Sequence, residues 1–229
     1  MRTVPETNQL SVLDDVRRAL GRRATLLPVP LDPFVESPLE IDSNTLIERF
    51  IQEATAVRAQ VYRLPGELRL VETIVEVCSR QNDDVAMSGA IVFGETDLPE
   101  ALAARGLSTF VGNDTEHHQL VARLANCGVG LTAVDYAIAE TGTIVLGSDE
   151  PNALLVSLLP PVHIALVRAG QMIATMDEAI KRIGSEQIGS ANPARSVTLI
   201  TGPSRTSDVE LVLSIGVHGP KELHVIVIE

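Results

Sequence analysis

The sequence predicts a layered α/β fold with a mostly parallel sheet. From residue 43 onward, segments with helical periodicity alternate with short apolar segments typical of strands. Aromatic residues make up only 3% of the chain and tryptophan is absent, so the core is mainly aliphatic, as in buried parallel sheets. The 229 residues are enough for one large domain of this class, or for one domain with an appendage.

The first 40 residues predict an N-terminal arm. Residues 8–21 have the apolar spacing of a short amphipathic helix that stops at Gly21. A proline-rich tract follows, and proline neither continues a helix nor fits a central strand. We therefore expect an arm over residues 1–40, packed on the domain or on a second copy of it, and an α/β domain over residues 41–229.

Helices and strands alternate regularly in the first half of the domain, whereas the second half consists of strands separated by loops and short helices. Helices are predicted at 43–57, with Ser43 as N-cap, and then at 67–80, 98–105, 115–126, 153–158 and 177–183. Strands are predicted at 60–64, 84–87, 107–111, 129–134, 143–146, 162–167, 196–201 and 223–228. The later strands either pair antiparallel or extend the sheet.

Composition excludes several classes of function. The net charge of −12 repels nucleic-acid phosphates, and the scarcity of aromatic residues argues against a base-stacking surface. An anionic small molecule is still compatible, because it binds through local cations and oriented backbone amides. Cys78 and Cys127 have no ligand spacing, so we expect buried free thiols and neither an iron–sulfur cluster nor a structural zinc.

The hydropathy of the chain predicts a soluble protein. No apolar run approaches the ~18 residues that a membrane-spanning helix requires. The N-terminal residues also lack the apolar core of a secretory signal. We expect a cytoplasmic protein without a membrane span.

A first polar motif interrupts the apolar segment 137–146 with Glu140, Thr141, Gly142 and Thr143. Glycine inside a strand pattern marks a bulge or a close backbone approach. A partly buried carboxylate requires a partner or a function. The segment is therefore interpreted either as a bulged core strand with an exposed glutamate or as part of a site.

A second polar motif, residues 201–210, follows an apolar strand at its carboxyl end, where open α/β sheets bind ligands. Gly202 permits the turn, and Arg205 is suited to clamp a carboxylate or phosphate. Asp208 either orients the arginine or caps a helix that begins near Thr206. The hydroxyls come from Ser204, Thr206 and Ser207. The alternative is an ordinary helix-capping loop.

Histidines supply the remaining candidates. His218, directly before Gly219, is interpreted either as a general acid/base near neutral pH or as a turn histidine bonded to backbone. His163 lies in an apolar strand and is interpreted as structural. The glycine-rich, Walker-type and nucleophile-elbow motifs are absent, which argues against a dehydrogenase, a nucleotide hydrolase and a serine hydrolase.

Four segments in series resemble the LUD domain family, of the lactate-utilisation protein C type (LutC/YkgG-type). They are AIAETGT at 137–143, LLPPVH at 158–163, ITGPSRTSDVE at 200–210 and GVHGP at 216–220. The resemblance covers roughly residues 45–229 in order and spacing. One departure concerns residues 148–153, SDEPNA, where family members often carry basic residues, and it leaves Arg205 as the main local cation.

The resemblance implies a three-layer α/β/α fold around a mixed, mostly parallel sheet. This fold is shared by the ribose-5-phosphate isomerase, glucosamine-6-phosphate deaminase and CoA-transferase group (NagB/RpiA/CoA-transferase-like), whose members bind anionic ligands such as sugar phosphates or CoA. The resemblance also implies an association with iron–sulfur proteins that oxidise L-lactate to pyruvate. It does not imply which cofactor, if any, this chain itself binds.

These observations lead to one site hypothesis, in which the three polar motifs converge on a small carboxylate or a phosphorylated ligand. Glu140 and His218 are the candidate catalytic acid/base groups, and Glu140 is alternatively a nucleophile by analogy with CoA-transferases. The predicted ligand-binding residues are Thr141, Gly142, Thr143, Gly202, Ser204, Arg205, Thr206, Asp208 and Gly219. The alternatives are a non-catalytic subunit that docks on iron–sulfur partners and a stand-alone isomerase or acyl-transferase.

Overall fold

The computed structural model describes residues 15, 42–79, 84–89, 91–94, 96–111, 117–147, 152–187, 196–207, 213–215 and 218–229. All the sheets described below belong to the unit Ile41–Glu229. Except for Asp15, the predicted arm over residues 1–40 lies outside the described residues, so it stays a prediction.

The order of helices and strands follows the predicted alternation closely in the first half of the domain. The helices are α1 (Ser43–Ala56), α2 (Leu70–Cys78), α3 (Leu98–Ala103), α4 (His117–Ala125), α5 (Ala153–Leu158) and α6 (Met176–Gln187). The strands are β1 (Gln60–Leu64), β2 (Asp84–Met87), β3 (Val92–Phe93), β4 (Thr96–Asp97), β5 (Ser108–Val111), β6 (Val129–Ala133), β7 (Tyr136–Ile138), β8 (Thr143–Gly147), β9 (Val162–Arg168), β10 (Met172–Ile173), β11 (Val197–Ile200), β12 (Arg205–Ser207), β13 (Leu213–Ile215) and β14 (Glu222–Ile228).

The main sheet has six strands in the order β1-β14-β9-β6-β2-β5, and every neighbouring pair is parallel. The central strands β9 and β14 are buried along nearly their whole length, which explains their continuous runs of aliphatic residues. A second sheet has four strands in the order β10-β7-β8-β11, and β8 pairs antiparallel with both of its neighbours. The prediction of a mostly parallel, mixed α/β fold is therefore confirmed.

Apolar residues alternate along the central strands and cover both faces of the main sheet. In β9, Ile164 packs in a cluster with α2 and α3, whereas Ala165 and Val167 pack in a cluster with α1 and the second sheet. On this second face, Ala86 of β2 packs against α4 and α5. Helix α6 packs with β7, β8 and β10 in a separate cluster. The second sheet and α1 thus form one of the layers that flank the main sheet.

The segment 137–146 forms a β-hairpin and not the single bulged strand that was one of its two interpretations. Strands β7 and β8 pair antiparallel, with Ala137 opposite Ile144 and Ile138 opposite Thr143. Gly142 completes the turn with φ of +62°, in the left-handed region that glycine adopts without steric cost. The glycine that suggested a bulge therefore marks a chain reversal.

The start of α1 also differs from the prediction. Ser43 is the first helical residue, and Asp42 is the N-cap. The Asp42 carboxylate accepts a hydrogen bond from the backbone N–H of Thr45 at 3.0 Å. A hydrogen bond from the Thr45 hydroxyl, with a smaller contribution from the Thr45 N–H, holds the pKa of Asp42 below its ordinary value, because both stabilise the ionised carboxylate.

We expect Gly142→Ala to destabilise the protein more than Gly106→Ala, and urea denaturation checks this. Both glycines have positive φ, so both substitutions carry the strain of a left-handed alanine, about 1–2 kcal/mol. A Cβ atom at Gly142 would also lie 2.2 Å from the backbone nitrogen of Ala54 in α1, whereas a Cβ at Gly106 meets nothing within 4 Å. The extra overpacking at Gly142 costs about 1–3 kcal/mol. Equal losses in the two variants would contradict the close approach of the hairpin to α1.

Candidate functional site

A chain of hydroxyl groups joins the first polar motif to the second. The hydroxyl of Thr143 lies 2.7 Å from that of Thr141 and 2.7 Å from that of Thr201. Thr143 begins β8, and Thr201 follows β11, the antiparallel neighbour of β8. Pairing of Ile144 with Ile200 therefore places the hairpin turn next to the loop that begins at Thr201.

The loop after β11 packs against the C-terminal end of α1. A Cβ atom at Gly202 would lie 2.6 Å from the carbonyl oxygen of Val57, so only glycine allows this approach. The guanidinium of Arg205 donates a hydrogen bond to the same carbonyl oxygen. A cation at a helix C-terminus interacts favourably with its unpaired carbonyl groups. Arg205, predicted to clamp an anion, therefore attaches the loop to α1.

The same loop also contacts the third polar motif. The backbone N–H of Ser204 donates a hydrogen bond to the carbonyl oxygen of Pro220 at 2.9 Å. Gly219 lies so close that a Cβ atom there would be 3.2 Å from the Cβ of Ser204. Described residues from all three motifs thus lie next to one another, although their side chains do not all face the same space.

Between these loops lies a cavity of about 230 Å³. Most of its surface is apolar, and the lining includes six aliphatic or proline residues, six polar residues and two glycines. The lining residues are Ser157, Leu158, His163, Thr198, Leu199, Ile200, Thr201, Gly202, Pro203, Ser204, His218, Gly219, Pro220 and Leu223. No lysine or arginine is among these lining residues. An apolar wall with a few convergent polar groups is the usual form of a small-molecule site.

The cavity lies at the opposite end of the main sheet from the one that the sequence suggested. The loop follows the carboxyl end of β11, but β11 belongs to the separate four-stranded sheet. The main-sheet residues beside the cavity are His163, the second residue of β9, and Leu223, the second residue of β14. The site therefore lies at the amino ends of the parallel strands rather than at their carboxyl ends.

His163 is the most unusual group in the cavity wall. Its side chain is 1% exposed, and its Nε2 atom lies 2.9 Å from the hydroxyl of Thr132 in the neighbouring strand β6. Its Nδ1 atom is buried and has no hydrogen-bond partner among the described residues. Buried polar groups in folded proteins are nearly always paired, so His163 is an unusual residue for a cavity wall.

Burial determines the charge of His163. Removal from water, with a smaller contribution from nearby His224, lowers the pKa of His163 from 6.5 to about 3. The imidazole is therefore neutral at physiological pH, with one N–H group and one nitrogen lone pair. It is suited to form a hydrogen bond with an uncharged oxygen, and it does not supply a positive charge.

The structure separates Glu140 from the cavity. Its exposed carboxylate accepts a hydrogen bond from the backbone N–H of Met176, the first residue of α6, at 3.0 Å. A carboxylate at a helix N-terminus satisfies an unpaired N–H and interacts favourably with the helix dipole. Glu140 is not among the residues that line the cavity, and its catalytic role stays a prediction.

The other predicted residues divide into three groups. The cavity wall contains Gly202, Ser204, His218 and Gly219. Thr141, Gly142 and Thr143 lie in the adjoining hairpin turn. Residues 205–207 form β12 rather than the start of a helix, and Asp208 lies outside the described residues.

Sequence reasoning missed Ser157 and treated His163 as structural. Ser157 is buried, and its hydroxyl donates to the carbonyl oxygen of Leu154 at 2.9 Å, which leaves its lone pairs available. The available signal was the segment 158–163, which belongs to the series of motifs that carried the family resemblance. Its apolar residues indicated burial, but they did not indicate that one ring nitrogen lacks a partner.

Within the part of the chain that the structure describes, no group of three or more His, Cys, Asp and Glu side chains is placed to hold a metal ion. Neither Cys78 nor Cys127 forms a disulfide, and both thiols are buried, as predicted. Among the helices of the described ranges, none is both long and apolar enough to cross a membrane.

Comparison with known sequences gives matches along nearly the whole chain. The model of the LUD domain matches residues 47–228. Lactate utilization protein C of Halalkalibacterium halodurans is 33% identical over 224 residues, which covers 95% of this chain and 96% of that protein. The uncharacterized protein YkgG of Escherichia coli K12 is 26% identical over 229 residues and covers 97% of this chain and 98% of its own length.

A solved structure supports the same fold. The crystal structure of a DUF162 family protein from Deinococcus radiodurans superposes with a TM-score of 0.59 and 22% sequence identity. The match covers 82% of this chain and 99% of that protein. The family resemblance found in the four sequence segments is thus confirmed over the domain as a whole, and the chain belongs to the LUD domain family.

Proposed function

We propose that this protein is a component of an L-lactate utilisation system and that it binds a small 2-hydroxy or 2-oxo acid in the cavity. Relatives that match over nearly their full length carry the name lactate utilization protein C, and this supports the first part. The unpaired Nδ1 of buried His163 supports the second part and is the observation on which the proposal chiefly rests.

The chemistry of the cavity suits such an acid. A ligand of the size of lactate or pyruvate carries a methyl group, an uncharged oxygen and a carboxylate. In the proposed arrangement, the methyl group contacts the aliphatic wall, and the uncharged oxygen binds Nδ1 of His163 after a small movement of the ring makes this buried atom accessible from the cavity. The carboxylate faces the exposed side of the cavity near His218 and Gly219, where water also solvates it. This arrangement avoids burying a charge without a partner, which would be costly.

The acid/base role predicted for His218 is retained in this proposal. His218 is exposed and lines the cavity, so it is accessible both to a ligand and to solvent protons. An imidazole both accepts and donates protons, which suits it to general acid/base catalysis. Arg205 contributes indirectly, because its contact with Val57 holds the loop that contains Gly202 and Ser204.

A surface next to the cavity favours an additional role in assembly. Leu158 and Leu199 line the cavity and are 37% and 45% exposed, and Leu154 on the same helix as Leu158 is 38% exposed. The family resemblance implies iron–sulfur proteins as partners. We infer that these leucines contact such a partner at the mouth of the cavity.

His163→Phe is expected to abolish ligand binding while it preserves the fold. Phenylalanine has nearly the shape of histidine but lacks both ring nitrogens. A ligand at about 100 times its dissociation constant stabilises a protein by about 2.7 kcal/mol, which raises the melting temperature by a few degrees. We expect pyruvate or lactate to produce this shift in the wild-type protein and not in the variant.

The matched control is His118→Phe, because His118 lies exposed on α4 and away from the cavity wall. This variant should keep the full shift in melting temperature. An undiminished shift in His163→Phe would contradict the proposed binding mode, and no shift in the wild-type protein would contradict ligand binding itself.

The buried imidazole also predicts how stability depends on pH. Its pKa is about 3 in the folded state and about 6.5 in the unfolded state, so between these values the unfolded chain binds more protons. Stability therefore falls as the pH decreases below 6.5. His163→Phe removes this contribution, so its free energy of unfolding should fall by about 2 kcal/mol less than that of the wild type between pH 7 and 5.

Urea denaturation at pH 7, 6 and 5 measures this difference in slope. Only the pH dependence is compared, since the substitution also changes packing and leaves Thr132 without its partner. Parallel curves for the two proteins would show that folding leaves the pKa of His163 unchanged, and would contradict an imidazole that stays neutral at pH 5.

The proposed assembly surface is tested by Leu199→Gln with Leu68→Gln as control. Leu68 is 96% exposed and lies beside α2, which packs on the opposite face of the main sheet from the second sheet. Co-elution with the iron–sulfur proteins of the same lactate-utilisation system should decrease for Leu199→Gln and not for Leu68→Gln. Equal co-elution of both variants with those proteins would contradict a docking role for this surface.

A further inference from the structure

The cavity is larger than a three-carbon acid requires. Its volume is about 230 Å³. An engineered apolar cavity of about 150 Å³ in another protein holds one molecule of benzene, which has six non-hydrogen atoms, as lactate and pyruvate do. By this comparison the cavity has room for about nine non-hydrogen atoms. Lactate or pyruvate alone would therefore leave about one third of the space to water.

Aliphatic side chains form the wall between β11 and the main sheet. Side chains alternate along a strand, so Thr198 and Ile200 lie on one face of β11 and Leu199 lies on the other. Ile200 packs against the apolar cluster that contains Leu223 of β14, so this face of β11 is turned toward the main sheet. Leu223 is buried, and it lines the cavity together with Ile200 and Thr198. An apolar group of a ligand in this part of the cavity would be removed from water.

The cavity offers no partner for a charge within this part. Among the described residues that line it, none is a lysine, an arginine, an aspartate or a glutamate. The ring of His163 is neutral, because burial lowers its pKa to about 3. A charged group placed there would lose its hydration without gaining a partner, which is costly. A ligand therefore fits best with its carboxylate at the exposed side near His218 and an uncharged, apolar remainder inside.

We propose that the cavity selects 2-hydroxy and 2-oxo acids with an aliphatic chain of about six carbon atoms over lactate and pyruvate. This inference rests on the proposed function, and it identifies the chain length of the acid that the site binds best. In 2-hydroxy-4-methylpentanoate, an isobutyl group takes the place of the methyl group of lactate and brings the acid to nine non-hydrogen atoms. The isobutyl group occupies the space between β11 and the main sheet, against Ile200 and Leu223.

The hydrophobic effect determines the direction and the size of this preference. Each additional methylene group that is buried against aliphatic side chains strengthens binding about fourfold, so three fully buried carbon atoms would strengthen it about 60-fold. The cavity is open on one side, so burial is incomplete and the expected gain is at least about tenfold. The wall also contains the hydroxyls of Ser157 and Ser204, and hydroxyls both donate and accept hydrogen bonds. Chain length, rather than the choice between hydroxyl and ketone, therefore distinguishes the acids.

Isothermal titration of the full chain with three 2-hydroxy acids tests this preference. We expect 2-hydroxy-4-methylpentanoate to bind at least about tenfold more tightly than lactate. Malate is the control for size, because it has as many non-hydrogen atoms as 2-hydroxy-4-methylpentanoate but carries a second carboxylate in place of the branched alkyl end. We expect malate to bind more weakly than lactate, since its second charge would have no partner inside the cavity.

A substitution in β11 tests where the aliphatic chain lies. Thr198 is half-buried and lines the cavity on the face of β11 that is turned toward the main sheet. Phenylalanine is well tolerated in strands and is larger than threonine by four non-hydrogen atoms. In Thr198→Phe the new ring should fill the space for the alkyl chain, so the ratio of the affinities for 2-hydroxy-4-methylpentanoate and lactate should fall severalfold. Thr198→Val has nearly the shape of the wild-type residue and should keep the ratio.

The possible outcomes separate this inference from the proposed function. Binding of none of the three acids would overturn the proposed function and, with it, the preference for a longer chain. Binding of lactate or malate as tightly as 2-hydroxy-4-methylpentanoate would overturn the preference alone. An undiminished ratio in a folded Thr198→Phe variant would overturn the position of the chain beside β11. The comparison of the three acids uses the wild-type protein, so it decides the preference even where Thr198→Phe does not fold.

Discussion

The contact of the 201–205 loop with the end of α1 determines where the cavity forms. Gly202 allows the loop to approach the carbonyl oxygen of Val57, and the guanidinium of Arg205 donates to the same atom. Helix α1 ends just before β1, whose neighbour in the main sheet is β14. The loop is thereby brought to the amino ends of β14 and β9, and Ser204 and Gly219 close the space between them. The pairing of β11 with β8 fixes the strand, and the contact with α1 fixes the loop that follows it.

The placement of His163 connects the fold to the proposed chemistry. A buried polar group without a partner costs about 1–3 kcal/mol, and a folded protein rarely retains one without a function. Burial keeps the pKa of His163 near 3, so a ligand in the proposed site would meet a neutral ring. In the proposed arrangement, the charge of the ligand lies at the exposed side of the cavity, near His218. Among the described residues that line the cavity, none is a lysine or an arginine.

Much of the fold could be predicted because its determinants are local. The aliphatic runs of β9 and β14 indicate buried parallel strands, and the spacing of Ile47, Phe50 and Ala54 indicates the buried face of α1. Less of the site could be predicted, because its determinants connect distant residues. Arg205 pairs with a carbonyl 148 positions away, and His163 pairs with a hydroxyl 31 positions away. Gly142 shows that even a local sequence pattern does not always determine the structure, since a glycine within an apolar segment is compatible with both a bulge and a hairpin turn.

A crystal structure of the protein with bound pyruvate would test the central claim most directly. The account predicts that the ketone oxygen lies within hydrogen-bond distance of Nδ1 of His163, about 3 Å, with the methyl group against the aliphatic wall and the carboxylate toward His218. Pyruvate bound elsewhere on the protein, or within the cavity with its carboxylate against His163, would contradict it.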